Sequence, residues 1–244
     1  MQFLLITDLD NTLVGDDRAT FALSQKLTSF RHHCYLIYAT GRSYISAQYL
    51  AQVKQLLEPD YWITGVGTEI YEHGHLDRSW ASQLSQAWQR EAIAAIAQTY
   101  SELIPQPQSE QNPWKISFCL AHPENARVVD NLRVQLSRAG MNCQIVFSSG
   151  RDIDLLPSNA DKGLAASYLR DRLQVPAHAT LACGDSGNDI SLYQHGTLGA
   201  IVSNAQPELL EWYKQHRHPQ IYLARSPYAW GMLEAMQYFN LMPS

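Results

Sequence analysis

Short apolar runs alternate with amphipathic segments along much of this 244-residue chain, and the alternation predicts an α/β fold. The first run, residues 3–6, contains only Phe, Leu and Ile, which is typical of a central strand buried on both faces of a parallel sheet. Because helical patterns separate the apolar runs, we expect βαβ units in a Rossmann-like, parallel-sheet core. The elements predicted here are strands at 3–6, 35–39, 61–64 and 179–183, helices at 21–31, 43–57 and 164–173, and a hairpin of 68–71 with 76–77.

The pattern changes after residue 80 and is restored after residue 158. The stretch between contains a loop rich in Pro, Gln and Ser, and its own strands interrupt the alternation of the main sheet. We therefore predict two domains: a core made of residues 1–80 and 159–244, and an inserted, smaller α/β cap at 81–158. The elements predicted for the cap are helices at 82–101 and 124–139, a loop at 105–113, and strands at 114–121, 142–147 and 152–156.

A last amphipathic pattern, over residues 226–242, predicts a final helix without chemistry of its own. Its larger apolar side chains are expected to face the core. They are Tyr228, Trp230, Leu233, Met236 and Phe239.

Pairs of aspartates follow two of the predicted strands. Asp8 and Asp10 come directly after the first strand, and Asp185 and Asp189 follow the strand at 179–183. Because open α/β sheets place their ligands at the carboxyl ends of the strands, we expect these groups at one edge of the sheet. Carboxylates crowded at a buried edge are costly unless a cation neutralises them. The pattern indicates a metal-dependent site, with an Asx turn as the alternative for the first pair.

Two further motifs offer groups that suit an anion. Thr40 and Gly41 follow the strand at 35–39, where a helix is expected to begin and its free N–H groups can bind a negative charge. Lys162 supplies a cation close to the start of the helix at 164–173. Each motif alone fits a cap, a turn or a surface lysine, but together and in this order they indicate a single site.

The four motifs resemble those of the haloacid dehalogenase superfamily of phosphotransferases, and their spacing covers the chain from residue 3 to at least residue 189. Within that superfamily, residues 5–13, 39–43 and 64–71 are similar to the sucrose-phosphatase family, magnesium enzymes that release phosphate from sucrose 6-phosphate. The resemblance implies a core of the haloacid dehalogenase type with the larger type of inserted cap. The matching motifs are Asp8-Leu9-Asp10-Asn11-Thr12, Thr40-Gly41-Arg42, Asp161-Lys162-Gly163 and Gly184-Asp185-Ser186-Gly187-Asn188-Asp189.

The resemblance also implies a role for the main motif residues. Asp8 is the expected nucleophile, which forms an aspartyl-phosphate and so divides a difficult hydrolysis into two steps. Asp10 is expected to protonate the leaving sugar oxygen and then to take a proton from the attacking water. Thr40 with the amides after it, beginning with Gly41, and Lys162 are expected to hold the phosphate oxygens as charge develops on them.

Mg²⁺ is the cofactor that the resemblance implies, since the expected ligands are all oxygens. These ligands are the side chains of Asp8 and Asp185 and the backbone carbonyl of Asp10, which leaves the Asp10 carboxyl free. Asp189 is expected to orient Lys162 or a metal-bound water. Ser186 and Asn188 are expected to support the metal ligands from behind without binding the ion. Because no His or Cys cluster competes for the ion, zinc is not expected.

Asp10 also narrows the class of reaction. An aspartate at this position is typical of the superfamily's phosphatases and phosphomutases, whereas dehalogenases lack it and transport ATPases carry a threonine. The leading hypothesis is hydrolysis of sucrose 6-phosphate, the last step of sucrose synthesis. The alternatives are another sugar-phosphate phosphatase or mutase, such as one acting on mannosyl-glycerate phosphate, and a binding or regulatory module that keeps the fold without turnover.

Charged residues of the predicted cap and its hinges are candidate substrate contacts. Lys115 begins a cap strand and Asp152 lies on the return toward the core, where charged groups can bond sugar hydroxyls. Glu69 and Asn159 lie near the predicted hinges, and Arg42 could face either the substrate or the cap. Arg151 and Asp154 accompany Asp152 on the same return. Core packing, rather than sugar stacking, is expected for three tryptophans: Trp80, Trp88 and Trp114.

Composition and charge mainly exclude classes of partner and of targeting segment. A net charge of −5 and a pI near 6.0 argue against nucleic acid as a partner, because no basic stripe is present to neutralise phosphates. No apolar stretch approaches the roughly 20 residues that span a bilayer, and the first residues lack the charged lead of a signal peptide. We expect a monomeric, cytoplasmic protein with four buried, free cysteines and a small sugar-phosphate substrate. A sucrose-phosphate synthase is a further candidate partner that the resemblance suggests.

Overall fold

The computed structural model describes residues 2–242 and contains two β-sheets built from twelve strands. The strands in chain order are β1 Phe3–Thr7, β2 Cys34–Ala39, β3 Tyr61–Thr64, β4 Glu69–Glu72, β5 His75–Leu76, β6 Leu103–Pro105, β7 Ile116–Leu120, β8 Cys143–Ser148, β9 Asp152–Pro157, β10 Thr180–Gly184, β11 Leu198–Ile201 and β12 Ile221–Leu223. The helices are α1 Asp17–Ser29, α2 Tyr44–Val53, α3 Arg78–Leu84, α4 Arg90–Ala97, α5 Arg127–Arg138, α6 Lys162–Arg172, α7 Pro207–Gln215 and α8 Tyr228–Tyr238.

The larger sheet has eight strands in the order β12-β11-β10-β1-β2-β3-β4-β5. Its pairs from β12 to β3 are parallel, and the two pairs of β3 with β4 and β4 with β5 are antiparallel. β1 is buried along its whole length because strands lie on both sides of it and the apolar core covers it. The strand order reverses at β1, which makes the carboxyl end of β1 the crevice where such sheets bind ligands.

The predicted α/β class and the central position of the first strand are confirmed by this arrangement. The predicted hairpin is also present: β4 and β5 pair across a tight turn at His73 and Gly74, whose φ angles are 48° and 81°. These positive φ values explain why a glycine stands between the two histidines, so the His73-Gly74-His75 stretch is a turn. All four cysteines are free, although only Cys34 and Cys183 are fully buried.

The smaller sheet is antiparallel, with the order β6-β7-β9-β8, and α4 and α5 pack on it around a separate apolar cluster. Phe118, Leu132 and Ile153 lie at the centre of that cluster. The boundaries of the predicted cap, residues 81–158, stay a prediction. The first of them falls inside α3, where Trp80 and Leu84 are both buried in the core of the larger sheet.

One sequence prediction in this part of the chain is wrong. The single helix expected at 82–101 is two helices, α3 and α4, because Ala87 adopts a positive φ of 60° between them and Trp88 turns to donate a hydrogen bond to the Pro113 carbonyl. The expected loop at 105–113 is largely present, although its first residue, Pro105, ends strand β6, which pairs with β7. The break between α3 and α4 carries no Pro or Gly signal, so periodicity extended the predicted helix through it.

The predicted face of the last helix is right for three residues and wrong for Trp230. Met236 is buried, and Leu233 and Phe239 pack against the core, as predicted, whereas Trp230 is 40% exposed. α8 also buries Ala229, Met232 and Ala235. The small alanines allow the helix to lie close to the core, and the large aromatic side chain is left outside. Among residues 2–242, no helix combines the length and the apolar character that crossing a membrane requires.

Replacing a side chain of β1 tests the core directly. Leu5→Ala should lower the free energy of unfolding by about 2–5 kcal/mol, because Leu5 is fully buried between β10 and β2 and its truncation leaves a cavity. Urea denaturation followed by circular dichroism measures the change. Ile45→Ala is the control, since Ile45 is 80% exposed on α2 and its loss should change stability by less than about 0.5 kcal/mol. Equal effects of the two variants would contradict the burial of β1.

Candidate active site

The carboxyl ends of three neighbouring strands bring the motif residues together. β1 pairs in parallel with β10 and β2, with Thr7 opposite Cys183 on one side and opposite Tyr38 on the other. Asp8, Asp185 and Thr40, which follow these strand ends, therefore lie at the same edge of the sheet. The Asp8 N–H donates to the Cys183 carbonyl at 3.0 Å and so extends the pairing by one more residue.

Lys162 is the fixed cation of this edge. Its side chain is fully buried, and its Nζ donates to Asp8 Oδ1 at 2.6 Å and to Asp189 Oδ1 at 2.7 Å. The lysine begins α6, and Asp161 caps this helix by accepting a hydrogen bond from the Leu164 N–H at 2.6 Å. Burial opposes the charged form of Lys162, but the carboxylates of Asp189 and Asp8 outweigh it and raise the pKa of the ammonium.

Three buried carboxyl groups face one another here. Oxygens of Asp8, Asp185 and Asp189 lie within 4.8 Å of each other. Burial raises the pKa of Asp185 to about 7, and the neighbouring Asp189 adds to this shift. Burial likewise raises the pKa of Asp8 well above its ordinary value, although Lys162 opposes the shift. Since one ammonium faces three carboxyl groups, a divalent cation would complete the charge balance and hold them ionised.

Asp189 is largely occupied in holding its surroundings. One of its oxygens accepts from Lys162, and the other accepts from the backbone N–H groups of Asp185 and Ser186, each at 3.0 Å. Ser186 caps the short 3₁₀ helix Gly187–Tyr193 in return, which forms a capping box with Asp189. Thr12 donates to Asp185 Oδ1 at 3.0 Å. The predicted contact of Asp189 with Lys162 is thus present, and Asp185 keeps an oxygen that faces the cavity.

Asp10 lies outside the acidic cluster, paired with Arg42. Arg42 donates to both Asp10 oxygens, at 2.6 Å and 2.8 Å, and to the hydroxyl of Ser46 at 2.9 Å. The hydrogen bonds that Arg42 donates to Asp10 are the main cause of the raised pKa of Arg42. The sequence left Arg42 facing either substrate or cap; in the structure Arg42 lines the cavity and its guanidinium pairs with Asp10. In this arrangement both oxygens of the expected acid are occupied.

The predicted phosphate-binding groups lie beside these carboxylates. Thr40 is buried after β2, and its hydroxyl accepts from the Arg42 N–H at 3.2 Å. Gly41 comes close to the Asn188 amide, whose nitrogen would lie 3.6 Å from a Cβ at that position. Asn188 Oδ1 is buried and has no hydrogen-bond partner among residues 2–242. An acceptor left open in this way suits a ligand that brings its own donor into the cavity.

One cavity of about 330 Å³ contains the site, and the smaller sheet supplies its far wall. The near wall holds the motif residues, including Asp8, Asp10, Thr40 and Asp185. Cavity residues that the sequence did not single out are uncharged or acidic, and no motif marked them. They are Ser46 of α2, Ser148 at the end of β8, Gln106, Glu110 and Ser149.

Lys115 and Asp152 both line this cavity, as do Asp154 and Glu110. Lys115 is only 3% exposed and donates to the Gly41 carbonyl at 3.2 Å, with Asp154 at 3.6 Å. Asp152 accepts a hydrogen bond from the Gln106 amide at 3.0 Å, and burial raises the pKa of Asp152. Charged side chains of the smaller sheet therefore reach the phosphate motif of the core.

Two predicted substrate contacts, Glu69 and Asn159, do not line the cavity. Glu69 is turned toward its strand neighbour and accepts from the Thr64 hydroxyl at 3.2 Å, and burial raises the pKa of its carboxyl. Asn159 is exposed and donates to the Gln83 carbonyl at 3.0 Å, so it braces the connection between the two sheets.

The tryptophans serve as packing residues, as predicted, and none of the three lines the cavity. Trp80 is buried in the core of the larger sheet, and its ring N–H donates to the Gly67 carbonyl at 3.0 Å. Trp114 packs against the same core, and Trp88 against the cluster of the smaller sheet.

Known proteins were compared with this chain by family, by sequence and by structure. A family model described as sucrose-6F-phosphate phosphohydrolase matches residues 1–240. Probable sucrose-phosphatase 3a of Arabidopsis thaliana is 34% identical over 258 residues, which cover 100% of this chain and 61% of that protein. Mannosylfructose-phosphate phosphatase of Agrobacterium fabrum is 30% identical and covers 98% of both chains. The chain thus spans about three-fifths of the length of the plant relatives it matches.

Solved structures also include a similar sucrose-phosphatase. The sucrose-phosphatase from Synechocystis sp. PCC6803, determined in complex with sucrose and phosphate, is 49% identical, covers 98% of both chains and has a TM-score of 0.95. A haloacid dehalogenase-like hydrolase from Bacillus subtilis is 18% identical with a TM-score of 0.67, which shows the fold alone. The predicted haloacid dehalogenase fold is therefore confirmed. With a family model that matches residues 1–240, this chain belongs to the sucrose-6F-phosphate phosphohydrolase family.

Proposed function

We propose that this chain is a Mg²⁺-dependent phosphatase that hydrolyses sucrose 6-phosphate to sucrose and phosphate through an aspartyl-phosphate. The observation that carries the proposal is a buried carboxylate, Asp8, held by Lys162 at 2.6 Å on the floor of a cavity whose far wall is polar. The relative from Synechocystis, solved with sucrose and phosphate, supports sucrose as the leaving group. Membership of the family favours this substrate over the alternatives that the sequence left open.

The first step is attack of Asp8 on phosphorus. A carboxylate oxygen of Asp8 forms a bond to phosphorus while the bond from phosphorus to the sugar oxygen breaks. Lys162 holds Asp8 in place and balances charge on the phosphate. The Thr40 hydroxyl and the amides that follow it supply further hydrogen-bond donors. In the second step, water attacks the same phosphorus and releases Asp8.

Asp10 handles the protons of both steps. Its carboxyl protonates the leaving sugar oxygen, and its carboxylate then takes a proton from the attacking water. Because Arg42 occupies both Asp10 oxygens, substrate binding must free one of them. The Arg42 side chain is 35% exposed and lines the cavity with Glu110, whose charge also raises the pKa of Arg42. We infer that Arg42 holds Asp10 in place between turnovers.

The residues present fit Mg²⁺. Every candidate ligand is an oxygen. Three ionised carboxyl groups beside one lysine leave an excess of two negative charges, which a divalent cation would neutralise. Asp8 and Asp185 would hold the ion with the Asp10 carbonyl, since Asp189 already bonds Lys162 and two amides. When bound, the ion supplies a positive charge that offsets the charge of the phosphate oxygens.

The sugar end of the substrate meets the smaller sheet. Lys115, Asp152 and Asp154 offer both donors and acceptors, and Gln106 and Glu110 extend this wall. Sugar hydroxyls donate and accept in the same way, so such a wall can fix the position of a disaccharide. We infer that these residues, with Arg42 nearby, bind the sugar and select it over other sugars. Cytoplasmic location, a monomeric state and association with a sucrose-phosphate synthase remain predictions from the sequence.

A phosphate-release assay tests the proposed function. With Mg²⁺, the protein should cleave sucrose 6-phosphate at least about tenfold more efficiently than glucose 6-phosphate or fructose 6-phosphate, because only the disaccharide reaches the whole polar wall. Mannosylfructose phosphate belongs in the same panel, since a relative carries that name. Equal cleavage of the simple hexose phosphates would contradict the assignment, and no release from any substrate would favour a non-catalytic module.

Asp8→Asn should abolish phosphate release, since an amide cannot form the acyl phosphate. Asp130→Asn is the matched control, because Asp130 is an exposed aspartate on α5 that pairs only with Arg133 at 2.8 Å among residues 2–242. The measurement is phosphate release from sucrose 6-phosphate, with circular dichroism to confirm folding. Residual turnover above about 1% of wild type in Asp8→Asn would rule out Asp8 as the nucleophile.

Asp10→Asn should lower kcat by about 10²–10⁴-fold and leave KM nearly unchanged, because proton transfer is lost while the contacts of the bound substrate remain. Steady-state kinetics over a range of sucrose 6-phosphate concentrations separate the two parameters. A proportionate rise of KM would instead assign Asp10 to substrate binding.

The raised pKa of Asp185, about 7, makes Mg²⁺ binding depend on pH. Protons compete with the ion below pH 7, so Mg²⁺ affinity at pH 6 should be at least about tenfold weaker than at pH 8. Without Mg²⁺ the sign is opposite: a carboxyl whose pKa is raised on folding stabilises the fold at low pH, and this contribution is lost as the pH rises through 7. Thermal unfolding with and without Mg²⁺ at both pH values checks this, and Asp185→Asn should remove most of the Mg²⁺-induced rise in Tm. A rise that is the same at both pH values would contradict the prediction.

A further inference from the structure

One carboxylate outside the cavity joins the two walls of the site. Glu208 lies in the first turn of α7, and its Oε1 accepts hydrogen bonds from the Ser149 N–H at 2.7 Å and from the Gly187 N–H at 3.3 Å. Ser149 belongs to the turn between β8 and β9 in the smaller sheet. Gly187 stands two residues after Asp185 in the core. A single oxygen atom therefore links the two sheets where the cavity closes.

Packing at Gly187 shows how close this contact is. A Cβ at position 187 would lie 2.4 Å from the Phe147 carbonyl oxygen and 3.0 Å from Cγ of Glu208. The φ angle of Gly187 lies outside the left-handed region, so the need for glycine comes from space and not from backbone conformation. The end of β8 thus rests directly on the loop that follows Asp185.

Charge and helix geometry favour the link. A carboxylate that accepts from backbone N–H groups makes a stronger bond than a neutral acceptor. The first turn of a helix also favours a negative charge, which suits Glu208 in α7. In addition, the Gln206 N–H donates to the Asp185 carbonyl at 2.7 Å, so the start of α7 is tied to the same loop. Glu208 is therefore held in position from the core side.

The two linked segments carry different parts of the site. The turn at Ser149 leads into β9, which places Asp152 and Asp154 in the polar wall. The loop at Gly187 follows Asp185 of the acidic cluster. Glu208 itself does not line the cavity, so it acts only through these segments.

We propose that Glu208 is a positioning residue that couples the sugar-facing hairpin β8–β9 to the loop of Asp185. This proposal rests on the proposed function, because it assumes that the hairpin binds the sugar while the loop of Asp185 helps to form the phosphate site. Loss of the link should affect a substrate in proportion to how far it extends onto the hairpin. A disaccharide phosphate should depend on Glu208, and a small phosphate ester such as p-nitrophenyl phosphate should not.

Substitution of Glu208 tests this dependence. Glu208→Ala should raise KM for sucrose 6-phosphate by about tenfold with less than about a threefold change in kcat, because charge-assisted bonds to two amides are lost. Cleavage of p-nitrophenyl phosphate should change by less than about twofold. Glu208→Gln keeps an acceptor oxygen and should restore KM to within about threefold of wild type.

A second carboxylate of α7 gives the matched control. Glu211 lies one turn further along α7, where it pairs with Lys214 at 3.1 Å and is 60% exposed. Glu211→Ala should leave both substrates unaffected. Gly187→Ala should reproduce the effect of Glu208→Ala although Glu208 is present, because the new Cβ pushes the hairpin away from the loop.

Hydrogen exchange measured by mass spectrometry reports on the link without any substrate. The segment from Phe147 to Arg151 should exchange faster in Glu208→Ala and Gly187→Ala than in wild type or Glu211→Ala. Unchanged exchange together with unchanged KM would overturn the proposal, as would an equal loss of activity on both substrates. If the wild type does not cleave sucrose 6-phosphate, the proposed function fails, and the exchange data still decide whether Glu208 holds the hairpin.

Discussion

The buried ion-pair network of Lys162 with Asp8 and Asp189 is the interaction on which the rest of this structure depends. Its partners lie 154 and 27 residues from the lysine along the chain, so the network joins the end of β1, the start of α6 and the loop after β10. A buried ammonium without carboxylates would cost several kcal/mol, and so would the carboxylates without the ammonium. The chain must therefore close all three segments together.

That network also divides the work among the acidic groups. Both oxygens of Asp189 accept hydrogen bonds, one from Lys162 and the other from two backbone amides, so Asp189 holds the loop in place. Asp8 and Asp185 keep oxygens directed at the cavity, and burial raises their pKa values. A divalent cation bound beside them would lower these pKa values and keep both carboxyl groups ionised. Asp10 is set apart from this cluster by its pair with Arg42, and its side chain is 43% exposed.

The proposed sugar recognition depends on the second sheet. Its antiparallel strands have their own apolar cluster, but Lys115 reaches back to the Gly41 carbonyl, and Glu208 reaches from the core to the turn at Ser149. The polar wall is thus held over the acidic cluster by hydrogen bonds to backbone groups. Such bonds depend on where the two sheets sit and very little on local sequence.

The sequence by itself determined the α/β class, the central first strand and the strand-end motifs, because apolar periodicity and short motifs are local properties. It placed Asp8, Asp185 and Lys162 in one site because parallel strands end at a common edge. Only the tertiary structure decided the pairing of Arg42 with Asp10, the absence of Glu69 and Asn159 from the cavity wall, and the link through Glu208. These contacts join residues distant along the chain through hydrogen bonds, and no periodicity or spacing encodes which partner a polar side chain meets.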